Sequence, residues 1–168
     1  MNKNSEEHDP FNEPRQRSKR SRELMKEDFF WDCVDEESPF GSDEGWEAYY
    51  SYRDWRKENP KGTPIEYMDD VMLGQSNDYN TSLTNDEVII QSAKSPRKAF
   101  LGDKYDPSVL DVTVLAICLG QLIDEGKINT SLKKFGEIAV VRQRHKALRP
   151  SKHRLSILDA CLRVLREG

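Results

Sequence analysis

The chain is short of the residues that do covalent chemistry, with three histidines and three cysteines among 168 residues. Cys33, Cys118 and Cys161 lie far apart and none forms a CxxC pair, so neither a zinc ribbon nor a dithiol redox centre is spelled out; in a reducing compartment they stay thiols. His8 falls in a polar stretch, and His145 and His153 flank a helix break with no third group to complete a catalytic pair. The GxxxxGK[ST] phosphate loop, a G-x-G-x-x-G turn, HExxH and G-x-S-x-G are all missing. These absences exclude the nucleotide, dinucleotide, zinc-protease and serine-hydrolase chemistries that those motifs mark. Long apolar runs are lacking as well. The longest, "VTVLAICLGQLI" (112–123), is too short to span a bilayer, and the polar N-terminus has no apolar signal-peptide region, so a cytoplasmic location without membrane contact is expected.

What the chain has in abundance is segregated charge. A formal net charge of −4 conceals +5 over residues 15–26, −9 over 27–54, −4 over 55–90 and +8 over 127–168. Such polarity either steers partners or lets the two halves attract each other.

Residues 1–22 hold little that is apolar besides Phe11 and include the basic run "RQRSKRSR", so a disordered basic tail is expected. Residues 23–168 read as a single domain long enough to bury its own core, with an aromatic and acidic half (23–75) and a C-terminal helical half (84–168). Pro39, Gly41 and Gly45 interrupt regular structure before a helix running from about Asp43 to Glu58, which Pro60 and Gly62 close. A second helix falls within 62–73, with Thr63 as cap and Pro64 at its first position. Residues 74–83 read as a loop, Thr84 to Glu87 has capping-box spacing, and 95–107 reads as connection. A long helix from Asp106 to Asp124 offers Val109, Leu110, Val114, Ile117, Cys118 and Leu122 to a core, with Gly126 as its stop. Thr130 opens a helix to about Leu148 carrying Leu132, Phe135, Ile138, Ala139 and Val141, and Ser151 opens the last. The expected fold is all-α, a compact multi-helix domain with short connections.

"SPFGSDEGWEAYYSYRDWR" (38–56) carries the densest candidate chemistry. At about 100° per residue, Trp46, Tyr49, Tyr50 and Arg53 share one face, which is expected to be buried. Ala48, Tyr52 and Trp55 take the other side, either covered by Phe29, Phe30, Trp31 and Phe40 or left to a partner. An acidic edge beside accessible rings suits protein docking, since rings supply affinity and carboxylates steering; the candidate residues are Asp43, Glu44, Glu47, Asp54, Trp55 and Glu58. Asp35, Glu36, Glu37, Asp43, Glu44 and Glu47 also offer oxygens for a metal-dependent hydrolase, but their spacing does not match the Ca²⁺ loop. No metal or cofactor is assigned.

The rival segment is "RQRHKALRPSKHR" (142–154), with no acidic residue. Arg142, Arg144, Lys146, Arg149, Lys152 and Arg154 could hold phosphates of a nucleic acid beside the helix start at Ser151, although no aromatic residue is present to stack bases. A solvated or internally paired face is the plainer account of the same residues.

"KEDFFWDCVDEESPFGSDEGWEAYYSYRDWRKENP" (26–60) resembles the YfeS-like group of uncharacterised bacterial proteins, which similarly join a Phe-Phe-Trp segment to Pro-Phe-Gly-(Ser/Asn)-Asp and an aromatic helix ending near Trp-Arg. "DVTVLAICLGQLIDEGKINTSLKKFGEIAV" (111–140) is similar to the later helical part of that group. The resemblance implies a small helical bacterial protein and carries over no catalytic residue. The Phe-Gly-Ser-Asp stretch is more distantly similar to the "FxNDDA" start of small bacterial domains found near toxin systems, which implies an immunity-type interaction protein. The expectation is therefore a non-enzymatic module that binds a protein partner, of basic character, with nucleic-acid association as the alternative and the oligomeric state open.

Overall fold

The computed structural model describes residues 8–72, 79, 86–94 and 107–168. Among the described residues the chain is helical and contains no strand. In chain order the α-helices are α1 (Lys19–Leu24), α2 (Asp43–Glu58), α3 (Pro64–Val71), α4 (Asp86–Lys94), α5 (Pro107–Glu125), α6 (Thr130–Gln143) and α7 (Lys152–Glu167). Single 3₁₀ turns occupy Pro14–Gln16, Asp28–Trp31 and Lys146–Leu148.

α5 is the axis of the domain because its sequence is apolar on every side. Each position from Val114 to Ile123 is buried, as a helix without a polar stripe requires. α2 packs along it, α6 packs on it from another side, and α7 packs on both α6 and α5. The contact with α2 depends on Gly120. A Cβ there would come within 2.3 Å of Tyr49 Cδ2, so the bare backbone is what lets the buried Tyr49 ring lie against α5. α5 stops where expected: Gly126 adopts φ +72°, and its N–H donates to the Leu122 carbonyl at 3.0 Å.

The punctuation of the other helices is equally chemical. Ser42 caps α2 by accepting from the Gly45 N–H. Thr63 and Glu66 form a reciprocal capping box at the start of α3. Ser151 caps α7. In α6 the cap is Asn129 rather than Thr130, its side chain accepting from Ser131 and Leu132. That helix also ends at Gln143, five residues short of expectation. His145 turns into extended backbone and accepts from the Ala147 N–H, which opens the Lys146–Leu148 turn. Val109 and Val141, expected in the core, are exposed, while Val140 is buried in place of Val141. Thr84, residues 95–106 and most of the expected 74–83 loop lie outside the described residues; Tyr79 within that stretch is helical and fully buried.

The expected tail is the clearest difference. Residues 1–7 lie outside the described residues, but 8–22 are folded onto the domain. Phe11 is buried among Trp31, Phe40, Trp46 and Tyr49, with ring centroids 5.0–6.2 Å away. The Arg17 guanidinium sits 3.5 Å over the Trp31 ring, and Ser18 bonds the Leu122 and Ile123 carbonyls of α5. Between Asp9 and Arg17 the hydrogen bonds are internal, Asp9 to Gln16 and Asn12, Arg17 to the Pro10 and Phe11 carbonyls. This arm is a self-bonded loop plugged into the domain by one ring. Composition averaged over the segment conceals that anchor.

Candidate functional site

The buried stripe of α2 consists of Gly45, Ala48, Tyr49 and Tyr52. It lies between the two aromatic faces expected from the sequence, roughly a quarter-turn from the face centred on Trp46 at about 100° per residue. The rings therefore flank one core contact. On one flank the N-terminal arm covers Tyr49 and part of Trp46 through Phe11. On the other, α3 covers Tyr52 and Trp55 through Tyr67, at centroid distances of 5.4 and 5.2 Å. The cover for that second flank is Tyr67 and not the 29–40 aromatics; Phe40 and Trp31 turn instead to Phe11.

The carboxylate edge points directly away from this core. Asp43, Glu44, Glu47, Asp54 and Glu58 are all exposed. Asp54 pairs with Lys57 on its own helix at 2.8 Å, while Asp43, Glu44, Glu47 and Glu58 are unpaired among the described residues. Trp55, grouped with them from sequence, is half-buried against Tyr52 and Tyr67. Of the α2 rings Trp46 is the exposed one, at 37%, while Tyr50 and Trp55 are half-buried.

The basic half spends much of its charge internally. His153 meets Asp35 at 2.6 Å, Arg154 donates to the Glu37 carbonyl and to Gln143, Ser151 donates to the Glu37 carboxylate, and Arg163 grips Glu27 at 2.6 Å. The acidic 27–37 segment is thus clamped to α7, and the opposite net charges of the two halves are the reason. Arg53 and Arg56 of α2 reach Asp124 and Glu125 at the end of α5 in the same way.

This corrects the expected cationic face of 142–154. Arg142 is 1% exposed and cannot face a phosphate. Its Nε donates to Asp111 Oδ2 at 2.7 Å and its Nη2 to Asp111 Oδ1, the Tyr79 hydroxyl donates to the same carboxylate at 2.8 Å, and the guanidinium lies 4.8 Å over the Tyr79 ring. Burial raises the Asp111 pKa, with Arg142 and Tyr79 pulling it back. Arg144 is paired with Asp159, and Arg154 is half-buried. Lys146, Arg149 and Lys152 remain exposed. Arg149 adopts φ 50° immediately before Pro150, and the cleft of about 320 Å³ that it lines with Ser151 also presents Glu36 and Glu37, which repel phosphate.

Sequence reasoning missed a second feature. A cleft of about 760 Å³ opens between the arm and α2, with Trp46 and Tyr50 on one side and Asp9, Asn12, Glu13 and Gln16 on the other. Trp46 and Tyr50, one turn apart, have ring centroids 4.7 Å from each other. Beside it His8 meets Asp124 at 3.0 Å, and the Tyr49 hydroxyl donates to the same carboxylate at 2.9 Å. Burial and the nearby Arg53 lower the His8 pKa while Asp124 opposes them. The one sequence signal for this site was Phe11, isolated between Pro10 and Pro14.

None of the three thiols is held in its reactive thiolate form. Burial pushes the Cys161 thiol up to about 12 and raises Cys118 and Cys33 as well. Among the described residues no group of three His, Cys, Asp or Glu side chains is placed to hold a metal ion, and no helix is long and apolar enough to cross a membrane. No family model, curated protein or solved structure matches this chain.

Proposed function

We propose that this chain is a non-enzymatic, cytoplasmic interaction module that binds a basic protein partner through the outward flank of α2, in an immunity-like arrangement. One observation carries the reading. The domain pairs Glu27, Asp35 and Glu37 with its own α7 and the serine that caps it, yet leaves Asp43, Glu44, Glu47 and Glu58 of α2 exposed and, among the described residues, unpaired. Like charges held along one helix edge repel one another and are relieved by an incoming cation. The bacterial, YfeS-like resemblance of residues 26–60 is compatible with such a role.

The test is charge reversal at Glu47 and Asp54. Both side chains are exposed, so E47K/D54K should keep its helix content by circular dichroism. A basic protein captured by the wild-type chain should bind the variant at least about tenfold more weakly, with much of the loss in association rate. Equal capture by both chains would refute the reading.

A further inference from the structure

Resting on that reading, we infer that the cleft between the N-terminal arm and α2 receives a lysine or arginine side chain of the partner, seated on Trp46 and Tyr50 and flanked by Asp9 and Glu13. The cleft is built from two unlike walls. Trp46 and Tyr50 present ring surface, and Trp46 is 37% exposed although one side of it packs on Phe11 at 5.0 Å. The arm presents carboxylates and amides, Asp9 and Glu13 with Asn12 and Gln16. Rings attract a cation through their quadrupole, and carboxylates attract it through charge. The basic side chains that also line the cleft, His8 and Arg15, are each engaged by a carboxylate, Asp124 and Glu13.

The same aromatic cluster already holds guanidinium groups in this manner. Arg17 lies 3.5 Å over Trp31, and Arg53 lies 5.6 Å from the centroids of both Tyr49 and Tyr50. Asp9 is close enough to Tyr50 that its charge joins burial in raising the tyrosine pKa. Arg15 stands at the mouth, its side chain 73% exposed and paired with Glu13 at 3.1 Å. Such an exposed pair is weak, so Arg15 is a tethered placeholder that a partner's cation displaces. The volume, about 760 Å³, admits a long cationic side chain with the backbone that carries it. Asp43, Glu47 and Asp54, on the same helix as Trp46, continue the negative surface outward.

The experiment titrates short peptides bearing arginine, trimethyl-lysine or citrulline at one position into the full chain, followed by the tryptophan indole resonances in ¹H–¹⁵N spectra. The Trp46 indole should shift with arginine and with trimethyl-lysine, which keeps its charge but has no N–H to donate, and should not shift with citrulline. W46L should weaken arginine-peptide binding by roughly three- to tenfold, and R15Q should tighten it by removing the competitor. Equal shifts with citrulline, or shifts confined to Trp31 and Trp55, would overturn the inference without needing any variant to fold. The two proposals fail separately. If E47K/D54K loses the partner while the Trp46 signal ignores every cationic peptide, the flank stands and the cleft falls. If the Trp46 shift persists while E47K/D54K keeps full capture, the cleft stands and the flank falls.

Discussion

Replacing Arg142 and Asp111 singly and together tests whether the most deeply buried cation among the described residues is a structural element. The two side chains are each 1% exposed, so solvent does not share their charges, and Arg142 Nη1 has no hydrogen-bond partner among the described residues. Removing one member strands the other's charge at a cost of about 3–5 kcal/mol. D111L also removes the hydrogen bond that the Tyr79 hydroxyl donates to Asp111, which adds about 0.5–1.5 kcal/mol, so it is the costlier single change. Against a total stability on the order of 5–15 kcal/mol, D111L approaches global unfolding. The double replacement D111L/R142M leaves no stranded charge of this pair and retains only the loss of the Tyr79–Asp111 hydrogen bond, about 0.5–1.5 kcal/mol. The cycle should therefore close with a coupling energy of several kcal/mol, read from urea denaturation midpoints at constant slope.

The pH dependence separates the two single variants. In R142M the remaining Asp111 keeps the burial that raises its pKa and loses the guanidinium that lowers it. A carboxyl whose folded pKa lies above its unfolded value binds protons more tightly when folded, so R142M should lose stability as pH rises from about 4. D111L leaves a guanidinium that does not titrate in that range, and its penalty should be flat. Single-variant costs below about 1 kcal/mol, or additivity in the double variant, would show that solvent reaches the pair and refute the reasoning.

Two further outcomes follow from the clamps. The hydrogen bond to Asp35 raises the His153 pKa, and Asp35 is lowered despite its partial burial, chiefly by His153. The histidine's contribution is fully present below its unfolded pKa, near 6.5, and is lost as pH rises through the raised value; that of Asp35 is lost as pH falls below 3.8. The clamp of 27–37 on α7 is therefore strongest in between, and His153 titration by NMR should move down towards its ordinary value in D35N, whereas an unchanged titration would deny the contact. Phe11 is 7% exposed, so F11A should cost about 3–5 kcal/mol and open Arg15 and Arg17 to trypsin; a variant as stable and protease-resistant as wild type would mean the arm is not plugged into the domain.

Much of the fold is legible because helix ends are set by local chemistry. Ser42 and Pro60 bracket α2, Thr63 and Pro64 open α3, and Gly126 closes α5 with no reference to the rest of the molecule. The end of α6 has no such mark: neither glycine nor proline stands at 143–145, and the helix stops because His145 accepts from the Ala147 N–H and starts a tighter turn. The arm was hidden for a related reason. Its mean composition lacks the apolar surface that ordering requires, yet Pro10 and Pro14 limit the freedom of its unfolded chain and a single ring supplies the anchor.

The site is less legible, since it depends on which side of α2 meets α5. Large rings suggest burial wherever they fall, and a helix with rings on two faces then has no unique inside. The small residues decide it. Ala48 on α2 is buried, the missing side chain of Gly120 on α5 leaves room for the Tyr49 ring, and Tyr49 and Tyr52 are drawn into that seam. Trp46 and Trp55 are left as shoulders on either side of it, one capped by the arm and one by α3. The acidic edge faces outward as the geometric consequence, opposite the seam and away from the α7 cations that pair with Asp35 and Glu27. A change that shifted the seam, such as a bulky side chain at Gly120, which would collide with the Tyr49 ring, would rotate that edge and the Trp46 cleft together, because both are carried by α2.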